Sequence, residues 1–334
     1  MEPTTLGRGG PAVSRVGLGL MGMSGIYGPA DDTESVATIR AALDAGITLL
    51  DTGDFYGMGH NEMLLAGVLR GVPRDSVFIQ VKFGAQRDPA GRWVGHDASP
   101  AAVKTSLAYS LRRLGTDYVD LYQPARLDPD VPIEDTVGAI AEMGAAGYVR
   151  HAGLSEMGAG TIARAQAVHP IAALQIEYSL MSRSIEGGLL PFVREQGIGV
   201  TAYGVLSRGL LSPATARLAG PADPRGRFPR FRGENLAQNL GLVTRLEQIA
   251  AERGATAAQL AIAWVLSRGS DIIPLIGTKR PGRLAEALGA LELTLTAGEL
   301  AAIEAAVPAG AVAGDRYDSR GMAILDSERP GPAG

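Results

Sequence analysis

The sequence predicts an α/β chain closed into a (β/α)₈ TIM barrel, and two observations carry that prediction. Short apolar runs alternate with longer amphipathic segments through most of the chain, the pattern of repeated βα units over a parallel sheet. Polar or chemically distinctive residues gather at the C-terminal ends of the apolar runs: Asp51, Lys82, Gln123, Ser155, Gln175, Tyr203, then Gly277 and Thr278. In a barrel those ends meet around one mouth, whereas an open doubly wound sheet, the competing class, spreads them along a line. The length of 334 residues is compatible with one domain, because α/β barrels commonly exceed about 250 residues. No low-complexity or Pro/Ser-rich linker divides the chain, so residues 1–334 read as a single domain: an N-terminal cap segment over 1–15, a barrel over 16–291, and a C-terminal helix with an irregular tail loop over 292–334.

Taken in order, the candidate strands are RVGLGL, GITLLD, SVFIQVKFG, YVDLYQ, YVRHAGLS, AALQIEY, GIGVTAY and DIIPLIG, eight in all. Between them lie helix-like stretches: TESVATIRAALDAG, NEMLLAGVLRG, SPAAVKTSLAYSLRRLG, IEDTVGAIAEMGAAG, AGTIARAQAV, EGGLLPFVREQG, then NLGLVTRLEQIAAERG with TAAQLAIAWVLSRG, and finally RPGRLAEALGAL. Several end in glycine, as a helix C-cap prefers. Ser99 followed by Pro100 is a plausible N-cap with a first-turn proline. The stretch from Ser212 to Asn239 is rich in Pro, Arg and Gly. It is too long for an ordinary connection and reads as a functional loop.

Composition removes whole classes of function. With no cysteine, disulfides, thiolate metal sites and cysteine nucleophiles are excluded. Four histidines, His60, His96, His151 and His169, are too few for a histidine-rich metal site, and no metal is expected. A net charge of −4 offers no basic footprint for nucleic acid. No apolar run approaches the roughly 20 residues that span a bilayer. The N-terminus lacks the charged and apolar regions of a secretory signal, so a cytoplasmic location is expected. Of 31 basic side chains only Lys82, Lys104 and Lys279 are lysine, and each lysine therefore asks for a reason.

Two familiar motifs fail on context. GLGLMG (17–22) has the spacing of a dinucleotide fingerprint, but Gly25, Gly28 and Pro29 forbid a helix until after Asp32. GLSEMG has two residues between Ser155 and Gly158, so the hydrolase elbow is not met. The segment GITLLDTGDFYGMGHNE is more informative. Asp51 ends an apolar strand, Tyr56 follows in a glycine-flanked turn, and Lys82 closes the next strand. A carboxylate, a phenol and an ammonium on adjacent strand ends form a chemically meaningful set: Lys82 is expected to lower the Tyr56 pKa, with Asp51 balancing and orienting the lysine. Tyr56 then serves as a proton donor. IIPLIGTKRPGRLAEAL adds a glycine turn and basic residues at a helix start, a setting that suits phosphate.

Together these segments resemble the aldo-keto reductase superfamily over essentially the whole chain. The markers are GLGLMGMS, DTGDFYGMGHNE, VKFG, DLYQPARLDP, GYVRHAGLSE, LQIEYSL, TAYGVLSRGLL, IPLIGTKRPGRL and GDRYDSRGM. The resemblance implies a (β/α)₈ barrel that binds NADPH without a Rossmann fold and reduces an aldehyde or ketone by hydride transfer. By position it implies Tyr56 as proton donor, Lys82 as the lysine that tunes it, and Asp51 as the lysine's partner. It also implies a cofactor site: Gly19, Met21 and Asp51 at the first strands, Tyr203 stacking on nicotinamide, and Ser155 and Gln175 holding the carboxamide. Gly204, Leu206, Arg208 and Gly209 fall on the pyrophosphate loop. Gly277, Thr278, Lys279 and Arg283 fall on the 2′-phosphate site, and Glu286 near the adenine. Three positions depart from the family pattern: Glu156 and Ala287 stand where asparagine is usual, and Ala125 where the family keeps a catalytic histidine. The loss of that histidine is expected to leave room for a bulkier carbonyl compound.

Trp93, Ala125 and Arg126 are the candidate substrate-pocket residues, and the 212–239 insert and the tail from Arg316 to Met322 are expected to shape the pocket. His60 is close enough in sequence to Tyr56 to approach the mouth; His151 reads as an interior strand residue, and His96 and His169 as loop residues. The expected partner is a small-molecule carbonyl substrate, not nucleic acid or membrane, with oligomeric state open. A nucleotide-sensing barrel with little turnover and a dehydrogenase working toward alcohol oxidation are the other readings the sequence permits.

Overall fold

The computed structural model describes residues 1–212 and 224–329. Eight parallel strands close into a barrel, and they are the eight read from the apolar runs. They are β3 (Gly17–Gly19), β4 (Leu49–Gly53), β5 (Phe78–Phe83), β8 (Val119–Pro124), β9 (Val149–Ser155), β10 (Ile171–Glu177), β11 (Gly199–Tyr203) and β12 (Ile272–Gly277). Pairing runs around the ring in chain order and closes where Gly277 of β12 meets Gly19 of β3. The intervening helices are α1 (Asp32–Asp44), α2 (His60–Leu69), α3 (Pro100–Leu114), α4 (Ile133–Ala145), α5 (Ala159–Val168), α6 (Leu189–Glu195), α7 (Gly233–Glu252), α8 (Ala257–Ser267) and α9 (Pro281–Leu288). A tenth, α10 (Ala297–Ala306), precedes a tail that holds the short α11 (Ser319–Ala323). None of the described helices is long and apolar enough to cross a membrane.

The helix ends follow local chemistry. The Ser99 side chain accepts from Ala102 N and Pro100 occupies the first turn of α3, while Gly115 closes it at φ 68°. After β3 the chain makes one 3₁₀ turn, Met21–Ser24, and α1 waits for its Asp31 cap. That connection is why GLGLMG does not form a dinucleotide fingerprint.

Strand periodicity sorts the barrel interior into layers. Leu49, Phe78, Leu121, Ala173, Ile273 and Leu275 fill its lower end together with Leu6 and Val13. Leu6 and Val13 belong to an N-terminal hairpin, β1 (Pro3–Thr5) paired with β2 (Ala12–Ser14), that plugs the floor. The hairpin packs backbone to backbone against β11: a Cβ on Gly199 would lie 2.5 Å from Gly7 N, so only glycine permits the approach. Side chains two or four residues further along the same strands face the same way. Asp51, Gln80, Lys82, Gln123 and Gln175 therefore rise inside the barrel above this apolar floor.

Two features differ from the sequence expectations. The insert expected over Ser212–Asn239 is shorter than predicted, because α7 begins at Gly233: Leu236 and Leu240 pack on the core and extend the apolar stripe of α7 toward its start. Residues 213–223 of that insert lie outside the described residues. His96 is not a loop residue; it ends β7 (Trp93–His96), which pairs antiparallel with β6 (Ala85–Arg87) in a hairpin above the β5 end.

Candidate active site

Asp51 and Lys82 sit on neighbouring strands and are each 4% exposed. Lys82 Nζ donates to Asp51 Oδ1 at 2.5 Å. The same oxygen accepts from Gln80 Nε2 at 3.0 Å and Gln175 Nε2 at 2.8 Å, so a single carboxylate oxygen gathers three interior strands. Gln175, expected to hold a carboxamide, thus has its amide N–H directed at Asp51. Tyr56 follows β4 in a turn held by Tyr56 N to Gly53 O at 3.0 Å, and Asn61 N closes on Tyr56 O at 3.2 Å. Its ring is buried edge-on against Phe55, and Lys82 Nζ lies 5.2 Å from its centre.

The electrostatics correct one expectation. Burial, and next the charge of Asp51, push the Tyr56 hydroxyl well above its ordinary pKa, and Arg126 is the cation that opposes them. Lys82, whose ammonium is directed to Asp51, is not among the main causes of this shift, whose net direction is upward. Lys82 itself is drawn down by burial, against the pull of Asp51. Tyr56 is therefore a protonated acid at neutral pH. Beside the turn, burial and the neighbouring Glu62 raise the Asp54 carboxyl to about 7.

Around this group lie buried polar atoms without a hydrogen-bond partner: Ser155 Oγ, both ends of the Gln123 amide, Ser207 Oγ, Arg208 Nη1 and, further out, Glu286 Oε1. Buried polar groups are normally satisfied. An arc of orphans from β8 to α9 is the signature of a surface shaped for an absent polar ligand. Register places Lys82 beside Gln123 and Ser155 beside Gln175. Gly204 turns the chain away from Tyr203 at φ 69°, with the Glu177 side chain so close that a Cβ would come within 3.0 Å of it. The Arg208 guanidinium lies beside the edge-to-face rings of Phe228 and Tyr317, 4.3 and 4.7 Å from their centres, and faces Glu177 at 3.4 Å. Gly19 and Met21 border the first strand end, where Leu20 N donates to Asp51 O at 3.0 Å. Leu206, half-buried, accepts from Gly209 N at 2.9 Å to close the β11 loop.

At the far end Gly277 is exposed and Thr278 braces the next turn, its Oγ1 accepting from Arg280 N at 3.3 Å. Lys279 Nζ reaches across to the carbonyls of Gly28 and Pro29. Arg283 pairs with Glu286 at 2.7 Å within α9.

Glu156 is fully buried with φ 54°. Its two oxygens accept from Arg316 Nη1 and Nη2, each at 2.9 Å, and from Ser327 Oγ at 2.6 Å, and Tyr203 OH donates at 2.7 Å. Burial alone would raise this carboxyl, but Arg316 holds it far below the usual range. The tail is thereby fastened over the mouth, and Tyr203 is tied to it through Tyr317, whose hydroxyl is 3.2 Å away.

A cavity of about 310 Å³ opens beside Ala125 and is lined by Phe55, Trp93, His96, Arg126 and Arg320 among others. Trp93, Ala125 and Arg126 are thus brought together, and the tail contributes to the same wall. His60 is turned elsewhere: its ring contacts Ser24 Oγ at 3.0 Å and Asp32 at 3.2 Å. His151 stacks on Phe78 toward the barrel floor. Sequence reasoning placed Gln123 at the mouth without a role, took Tyr317 and Arg320 only as part of the 316–322 tail expected to shape the pocket, and missed His96 as a site residue. Gln123 was visible at a strand end, and Asp88-Pro89-Ala90-Gly91 between two short runs was a readable hairpin signal for the β6–β7 pair that carries His96.

Fold and site together define a (β/α)₈ enzyme barrel, with a buried carboxylate–ammonium–phenol group at the mouth where such barrels build their chemistry. A family model described as "Aldo/keto reductase family" matches residues 15–308, and the chain belongs to that family of nicotinamide-dependent carbonyl oxidoreductases. It is 40% identical to "Probable aldo-keto reductase 1" of Glycine max over 320 residues, 95% of this chain and 92% of the relative. Among solved structures it is similar to a glycerol dehydrogenase of Gluconobacter oxydans, with a TM-score of 0.82, 28% identity, and 99% and 98% of the two chains covered. It is also similar to a thermostable aldo-keto reductase solved with the inhibitor epalrestat, with a TM-score of 0.73, 30% identity, and 92% and 100% covered.

Proposed function

We infer that this single barrel domain is an NADPH-dependent reductase of aldehydes or ketones with Tyr56 as its proton donor. The observation that carries the reading is the Tyr56 hydroxyl, kept protonated by burial and by Asp51, on a ring packed against Phe55, which lines a cavity together with Ala125. When bound, the reduced nicotinamide supplies the hydride. The chain's own residues do the rest. Ser155 and Gln123 present unpartnered polar atoms that suit a carboxamide, and Tyr203 ends a strand of the same mouth, where an aromatic ring suits a nicotinamide. Arg208 and the backbone of 204–209 suit the pyrophosphate. Thr278, Lys279 and Arg283 suit a 2′-phosphate, which favours NADPH over NADH, and the orphaned Glu286 oxygen suits the adenine amine.

The carbonyl oxygen gains negative charge as hydride arrives, and Tyr56 neutralises it by donating the phenolic proton. The Lys82–Asp51 pair then lies beside the phenolate it leaves, with Lys82 positioned by Asp51, Gln80 and Gln175 through a shared oxygen. Ala125 supplies no hydrogen bond at the position where the family carries histidine, so the acid duty falls on Tyr56. Tyr56→Phe should lower kcat for carbonyl reduction by roughly 10²–10⁴-fold while the NADPH dissociation constant stays within a small factor. Retained turnover in that variant would overturn the assignment. The similarity to a glycerol dehydrogenase makes alcohol oxidation with NADP⁺ the reverse reaction to assay alongside.

A further inference from the structure

We propose that the cavity beside Ala125 accepts a carbonyl substrate that also bears a carboxylate, and that the Arg126 guanidinium receives that carboxylate. This deepens the carbonyl-reductase reading and rests on it. Arg126 leaves the end of β8 directly after Ala125 and lines the cavity. Of its five N–H donors, one reaches Ala125 O at 2.6 Å and another the Tyr317 hydroxyl at 3.4 Å. It forms no ion pair with any carboxylate among the described residues.

The other arginines enclosed in this part of the molecule are matched. Arg208 and Arg230 face Glu177, each at 3.4 Å, and Arg316 pairs with Glu156 at 2.9 Å. Glu156, a carboxylate whose field reaches Arg126, already accepts from Arg316, Ser327 and Tyr203. A guanidinium withdrawn from water without a counter-ion is costly, and the space beside this one is open. Arg320, over the Trp93 ring at 4.8 Å, adds a second cation at the edge. Asp318, the carboxylate on the same wall, accepts from Gly321 N at 2.8 Å and caps α11.

The rest of the lining selects the body of the ligand. Phe55, Trp93 and Ile324 present apolar faces, and Ala125 leaves room where a larger side chain would intrude. A planar carboxylate suits the guanidinium fork, and a flat apolar body suits the rings. An aryl or short-chain aldehyde acid meets both demands, with its carbonyl toward Tyr56 and its carboxylate toward Arg126. His96, whose ring has no hydrogen-bond partner among the described residues, stands beside that path as a neutral contact.

The test compares 4-carboxybenzaldehyde with methyl 4-formylbenzoate, which differ in charge at the far end, using NADPH and the full chain at low salt. The acid should be favoured in kcat/KM by roughly 10-fold or more, the scale of a charge-assisted hydrogen bond. Arg126→Gln should bring the acid-to-ester ratio close to one, and Arg126→Lys should restore part of it. A wild-type ratio near one, or a ratio unchanged in Arg126→Gln, overturns the proposal. If neither aldehyde is reduced, the reductase reading fails, and binding then judges the anion site: Trp93 fluorescence is titrated with 4-(hydroxymethyl)benzoate and its methyl ester. Quenching by the acid alone that disappears in Arg126→Gln supports the site; quenching by both or neither overturns it.

Discussion

Asp54 shows how a residue next to the chemistry carries a measurable cost. Its carboxyl is raised to about 7 by burial and by Glu62, whereas an unfolded chain ionises it near the ordinary value of 3.8. Between those values the folded state holds a proton that the unfolded state releases, so this group's contribution to stability falls as pH rises from about 4 to about 7. Asp54→Asn should therefore raise the melting temperature at pH 8 and change it little at pH 4.5; an equal gain at both would show that charge is not the cause. His96 runs the other way. Burial, then Arg126, lower it to about 4, so it stays neutral through the working range. The kcat/KM profile should show no break near pH 6.5 that vanishes in His96→Gln. The scarcity of lysine pointed to Lys82 and Lys279 directly. The unpaired state of Arg126 was not visible, since nothing local tells one arginine from the rest.

At the scale of elements, strands and helices were largely legible because their periods are local. All eight barrel strands and the Ser99 cap follow from neighbouring residues. The start of α7 was misread, since polar Glu234 and Asn235 hide a stripe that only packing of Leu236 and Leu240 reveals. The tail was read as irregular and expected to shape the pocket, but its fastening was not visible: Arg316 makes it a strap held to Glu156. Arg316→Met should cost about 3–5 kcal/mol by leaving Glu156 buried and unpaired. Pairing it with Glu156→Met should recover most of that loss in urea denaturation, and a double variant as unstable as the single one would refute a specific ion pair. The substitution should also expose the 317–329 segment to trypsin.

Across the whole molecule, floor and mouth divide the labour. The N-terminal hairpin, read from sequence only as a cap segment, plugs the lower end with Leu6 and Val13, while the chemistry sits at the opposite end of the same strands. Leu6→Ala should destabilise the fold by about 2–5 kcal/mol and leave the KM for NADPH unaltered at temperatures where the protein stays folded. A changed KM would mean that the layers are coupled.

By itself the sequence determined the alternation of strands and helices, the family, and the strand ends on which Asp51, Tyr56 and Lys82 stand. Those properties follow from side-chain periodicity and short spacing, which act between near neighbours. The tertiary structure alone decided that one oxygen of Asp51 gathers three strands, that Glu156 is matched by an arginine 160 positions away, and that a hairpin brings Trp93 and His96 to Ala125 and Arg126. Each depends on the direction a loop takes after leaving a strand. That direction is set by burial and by charge pairing between distant segments, for which no local pattern exists.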